Sequence, residues 1–273
     1  MKVYTRFVFE IEENDNLEET LELYQFIKKL EKYTYTPISY RMPTDNILFI
    51  QAKELAKKYS NIVNFGYSLD AKYDKKDFEK AVAYVPEFKR VCWEYDDSDV
   101  FGNDCGECGM WDQTGDLEIK PQGSIKKYRD EYATFVNEGA GTPLISAKLY
   151  EYLCENGIDK KYLRPVYSKR DKLTPIAYQL YSDFVLPAQV VKYPQFEIKE
   201  KCEKCGRIQL LYSEPEEFSP MTISREAVSQ LQPVNMPSEY LVHFKQTIVS
   251  KQMYQLIIEK DPKARFEPIF LEE

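Results

Sequence analysis

Apolar and polar residues alternate along "KVYTRFVFEIE" (2–12), the period-two pattern of a strand with one buried face. The period then lengthens. Leu17, Leu21, Tyr24, Ile27 and Leu30 recur at three- and four-residue steps, which predicts an amphipathic helix from about Leu17 to Lys32. Asn16 stands where it caps that helix, and Glu19 where a capping-box glutamate stands. Farther on, "NILFI" (46–50) reads as a buried strand and "AKELAKKYS" (52–60) as a short helix. Residues 1–100 are therefore expected to form an α+β scaffold segment.

From about residue 101 the pattern repeats itself. "PLISAKLYEYLCENGIDKKYLRPVYS" (143–168) aligns with "TIVSKQMYQLIIEKDPKARFEPIF" (247–270). Ser146 matches Ser250, Leu149 matches Met253, Tyr150 matches Tyr254 and Leu153 matches Ile257. Each serine is a good helix N-cap, because its hydroxyl accepts from a free amide of the first turn. Leu149 with Leu153, and Met253 with Ile257, fall on one helical face, and the tyrosines lie beside it. Asn156-Gly157 is expected to end the first helix and Asp261-Pro262 the second. "YLRPVYS" and "RFEPIFL" then read as short strands, each confined by its proline to an edge or a strand end. The order in both halves is a cysteine knuckle, a capped helix and a proline-containing strand. That order predicts a tandem duplication within 101–273, with repeats at about 101–170 and 198–273. The fold class expected is α+β, two related halves joined through their knuckles and packed as one compact unit.

The knuckles are "CGECG" and "CEKCG", carrying Cys105, Cys108, Cys202 and Cys205. They use four of six cysteines in 273 residues. Cys-x-x-Cys lets two thiolates reach one ion, and the following glycine accommodates the tight backbone. Two knuckles complete a tetrahedral four-cysteine site, which leaves no position for water and is structural rather than catalytic. A structural zinc ion is the expected occupant. A relic site, a redox dithiol pair and an iron–sulfur cluster remain alternatives. The second knuckle lies between "FEIKEK" and "RIQLLYS" and is expected at a hairpin turn, while "IAYQLYSDFVLPAQVVKYPQFEIKEK" (176–201) reads as strands with a turn at Pro187. Cys92 and Cys154 are single, in apolar settings, and read as buried fillers.

Charge narrows the function. The formal net charge is −8, with no long basic run, which argues against sequence-independent binding to nucleic acid and suits a basic partner. The 22 tyrosines fit wet, half-buried recognition surfaces. The opening residues lack the layout of a signal peptide, and no apolar run is long enough to span a bilayer, so a cytoplasmic protein is expected. Catalytic sets are not visible. His243 is the sole histidine, "EYDDSD" (94–99) reads as a solvated loop, and "GAGTP" (139–143) lacks the lysine and spacing of a phosphate-binding loop. No enzyme activity is expected.

The second part of the chain resembles the double-CxxCG immunity proteins of bacterial polymorphic toxin systems. The matching stretches are "CGECG", "CEKCG", "PLISAKLYEYLCENGI" with "LRPVY", and "IVSKQMYQLI" with "FEPIF", covering about residues 100–270. The resemblance implies a cytoplasmic, non-catalytic protein that binds and neutralises a cognate toxin, with zinc ligation at the four knuckle cysteines. A zinc-stabilised adaptor for another protein partner is the alternative.

Overall fold

The computed structural model describes residues 1–12, 17–36, 39–91, 94–95, 101–102, 105–120, 123–131, 133–137, 142–198, 201–213, 217–241 and 244–273. The chain is mixed α+β and divides into two compact units, Met1–Phe78 with Ser213–Pro220, and Glu79–Tyr212 with Met221–Glu273.

In the first unit a four-stranded antiparallel sheet has the order β2 (Thr34–Thr36), β3 (Ser39–Pro43), β1 (Lys2–Ile11), β4 (Val63–Lys72). The alternation read from sequence produces the long central strand, which buries Phe7 and Phe9. Helices α1 (Leu17–Leu30) and α2 (Ile47–Lys58) contribute to the same core as that sheet. Two expectations need correction. "NILFI" is not a strand but the start of α2: Asn46 Oδ1 accepts from the Leu48 amide at 2.9 Å and caps the helix. Phe49, Ala52 and Ala56 are its buried residues, a helical spacing that runs through both segments read separately. Among the described side chains of α1, Leu23, Phe26 and Leu30 are buried, while Leu21 and Tyr24 are exposed. Both stripes satisfy the helical period. Phe26 wins because it packs on Phe9, with ring centroids 5.3 Å apart. Asn16 and the Glu19 side chain lie outside the described residues.

The short helix α3 (Lys75–Lys80) leads into the second unit. Its strands are β5 (Ala83–Pro86), β6 (Arg90–Val91), β7 (Glu94–Tyr95), β8 (Phe101–Gly102), β9 (Asp112–Gln113), β10 (Leu117–Lys120), β11 (Thr134–Asn137), β12 (Thr142–Ile145), β13 (Leu163–Ser168), β14 (Asp171–Leu180), β15 (Val191–Lys192), β16 (Phe196–Ile198), β17 (Gln209–Tyr212), β18 (Thr222–Ile223), β19 (Val234–Asn235), β20 (Tyr240–Leu241), β21 (Ile248–Ser250) and β22 (Phe266–Leu271). Its α-helices are α4 (Ala147–Glu155), α5 (Arg225–Val228) and α6 (Lys251–Lys260). One sheet has the order β6-β11-β12-β14-β13-β10-β7 and another β15-β18-β22-β5-β21-β19.

The centres of these two sheets share one register. In the first, Tyr178 of β14 faces Ile145 on one side and Pro165 on the other, and Ala177 faces Val166. In the second, Tyr84 of β5 faces Val249 and Pro268, and Ala83 faces Ile269. Ser146 and Ser250 follow the matching strands and cap α4 and α6, accepting from Leu149 at 3.1 Å and Met253 at 3.3 Å. Leu149, Leu153, Met253 and Ile257 are buried as expected. Asn156 and Asp261 end the two helices, and Gly157 turns the first away at φ 85°. Strand β5 reaches its sheet from elsewhere in the chain, since it precedes the first knuckle whereas its neighbours β21 and β22 follow the second; β14 instead follows its neighbour β13 directly.

Candidate metal centre

Both knuckles sit at the ends of antiparallel ribbons. β8 and β9 flank the first, with Gly102 opposite Asp112; β16 and β17 flank the second, with Ile198 opposite Leu210. The second therefore lies at the hairpin turn that the sequence predicted. The two turns are closed alike. Cys105 N donates to Met110 O at 3.2 Å and Gly109 N to Cys105 O at 2.7 Å. Cys202 N donates to Arg207 O at 3.0 Å and Gly206 N to Cys202 O at 2.8 Å. Gly109 and Gly206 have φ of 65° and 71°, the left-handed region that side chains resist.

All four sulfurs converge. Cys105 Sγ lies 3.6 Å from Cys202 Sγ, and Cys108 Sγ 3.6 Å from Cys205 Sγ. Each lies within 4.8 Å of every other. A tetrahedral ion with metal–sulfur bonds of about 2.3 Å sets neighbouring sulfurs roughly 3.8 Å apart, so the donor set fits one such ion. The space is too small for a cluster of several irons. Among the described residues no other group of three or more His, Cys, Asp or Glu side chains can hold a metal. Cys105 is buried, Cys108 and Cys202 are half-buried, and Cys205 is exposed.

Electrostatics distinguish the thiols. The backbone amides of Cys108 and Glu107 turn toward Cys105 and hold its thiol down at about 6. Partial burial pushes Cys108 up to about 12. A divalent cation at the centre lets all four ionise together, because its charge offsets the repulsion among thiolates.

A polar clasp adjoins the sulfurs, and the sequence reading missed it. Arg207 follows the glycine of the second knuckle. Its Nη1 donates to Met110 O at 2.6 Å and its Nη2 to Asp112 Oδ2 at 2.7 Å. Asp112 Oδ1 accepts from the Tyr240 hydroxyl and lies 3.7 Å from Lys245 Nζ. The Arg207 and Lys245 side chains are 17% and 20% exposed, so these contacts are shielded from solvent more than surface ion pairs are. One signal was available: Arg207 occupies the position where the other knuckle carries Met110.

Other candidates fare differently. Cys154 is a free, half-buried thiol rather than a fully buried filler. Cys92, His243, residues 96–99 of the acidic run and residues 139–141 of "GAGTP" lie outside the described residues. No helix among the described residues is long and apolar enough to cross a membrane. Compared with protein-family models and with curated proteins, the chain matches none.

Proposed function

We propose that this chain is a non-catalytic bacterial immunity protein that binds a cognate toxin and occludes it, on a scaffold closed by a structural zinc ion. The observation that carries the reading is the closed donor set: four thiols from two like knuckles fill a tetrahedral site and leave no position for substrate or water. Zinc is the favoured ion because four sulfurs in tetrahedral array suit it and it brings no redox chemistry of its own. The net charge of −8 supports a basic partner surface, such as that of a toxin that handles nucleic acid. Tyrosine anchors with Asp and Glu would supply the contacts. On this reading the protein works in the cytoplasm.

The reading includes a duplication. The shared registers around Tyr84 and Tyr178 extend each copy backwards to an Ala-Tyr strand, β5 in the first copy and β14 in the second. Each copy then runs strand, knuckle, capped helix, proline strand. The copies have exchanged their first strands, since β5 pairs with the second copy's β21 and β22, and β14 with the first copy's β12 and β13.

Co-expression with the toxin encoded next to it tests the function. Growth should be restored, and the two proteins should co-purify. Undiminished killing by the toxin overturns the immunity reading and leaves a zinc-stabilised adaptor as its replacement.

A further inference from the structure

We infer that Arg207, Asp112 and Tyr240 are positioning residues of the metal centre, a clasp that sets the two knuckles at ligating distance. The inference rests on the reading that the four cysteines hold a metal ion.

The geometry is economical. The Arg207 carbonyl accepts from the Cys202 amide and so closes the second knuckle. The Arg207 guanidinium holds Met110 O, which accepts from the Cys105 amide and closes the first. One residue thereby fastens the closing bond of both turns. Its second guanidinium nitrogen holds Asp112, on β9, the strand that leaves the first knuckle. The other Asp112 oxygen accepts from Tyr240, on β20, which pairs in parallel with β17, the strand that leaves the second knuckle. The clasp thus bridges both ribbons twice, once at their turns and once at their exit strands.

Chemistry supports the placement. Four thiolates around a divalent ion carry a net charge of minus two, and a cation beside them offsets part of it. Arg207 is such a cation, two positions after Cys205 in the second knuckle. Lys204 adds a second: its Nζ lies 3.9 Å from where a side chain at Gly106 of the first knuckle would begin. A planar guanidinium supplies a fixed fork of donors that a lysine does not, so both the charge and its shape matter at position 207. The clasp is one-sided, because Met110 at the matching position has no group to reciprocate.

The test uses the full chain, with Co2+ as a spectroscopic probe and Zn2+ measured by competition with a chromophoric chelator. Wild type should take up one ion and show thiolate-to-cobalt bands. Arg207→Met and Asp112→Asn should each weaken metal binding about 10–100-fold, the usual effect of removing a residue that orients metal ligands. Arg207→Lys should recover part of that loss. The rise in melting temperature on adding metal should shrink in both variants. A merely structural clasp would instead lower the melting temperature equally with and without metal and leave affinity at the wild-type value, which overturns the inference. If Arg207→Met does not fold, Tyr240→Phe, which keeps the ring and removes one hydroxyl, serves in its place. Wild type that takes up no ion overturns the metal reading itself. Wild type that binds, with variants that bind as tightly, overturns the clasp alone.

Discussion

Tyr150 lies flat on Tyr178, ring centroids 3.7 Å apart and planes 7° from parallel. Tyr84 and Tyr254 repeat the arrangement at 3.9 Å and 10°. Each stack joins a helix to the central strand of its sheet. The stacks therefore fasten each helix to its sheet. In a double-mutant cycle, Tyr84→Leu and Tyr254→Leu should couple by about 0.5–1.5 kcal/mol beyond their separate costs, and Tyr150→Leu with Tyr178→Leu by a similar amount. Urea denaturation measures this. Purely additive effects would mean that the stacking itself contributes nothing.

Cys105 is the most deeply buried of the four ligand candidates. Cys105→Ser should abolish tight metal binding and remove the stabilisation that metal confers, since metal affinity in such a site is folding free energy. Metal content by elemental analysis and melting curves with and without a chelator check this. Wild-type zinc content in the variant would remove Cys105 from the ligand set.

The glycines that close the knuckles are constrained by their backbone conformation. Gly206→Ala, at φ 71°, should cost about 1–2 kcal/mol from left-handed strain alone. Gly109→Ala, at φ 65°, should cost about the same. Gly115→Ala is the control: nothing stands within 4 Å of an added carbon and its φ is not in that region, so it should be near neutral. Equal stability of all three variants would contradict the turn geometry.

In the first unit, a hydrogen bond from the Tyr59 hydroxyl and one from Lys58 Nζ at 2.9 Å hold the Glu22 carboxyl below the usual carboxylate range. A depressed folded value stabilises the protein above the unfolded pKa of about 4.3, and that contribution disappears as pH falls through the folded value. Glu22→Gln should therefore be less stable than wild type at neutral pH, and the gap should close on acidification below about pH 4. The contribution is modest because Glu22 is half exposed. A gap that persists in acid would show that the carboxylate charge is not its source.

The sequence made the local devices legible. Ser146, Ser250, Asn156 and Gly157 act through atoms a few positions away, and their chemistry is readable from residue type. The four cysteines were readable because Cys-x-x-Cys-Gly encodes its own turn. What could not be read is the choice among equivalent partners. In α1 two apolar stripes obey the same period, and only the position of Phe9 selects Phe26 over Tyr24. "NILFI" is too short for its period to separate strand from helix, although it opens on Asn46, the residue that caps α2. The clasp joins Asp112 to Arg207 and Tyr240 across long stretches of chain, and nothing local to Asp112 marks it as a ligand for a guanidinium.

The place of β5 between β21 and β22 has a consequence for synthesis. Strand β5 is complete before the first knuckle leaves the ribosome, yet Ala83 pairs with Ser250 and Ile269, near the end of the 273-residue chain. A central strand thus emerges early and waits for both its neighbours, which begin only at Ile248 and Phe266. During that interval Tyr84 and Val85, buried in the finished fold, have no sheet to enter. Non-local pairing of this kind makes folding slow and leaves apolar surface open to misassociation. The second unit therefore closes as a whole, after the last strand arrives, and a chain truncated before β22 leaves β5 without one of its two partners.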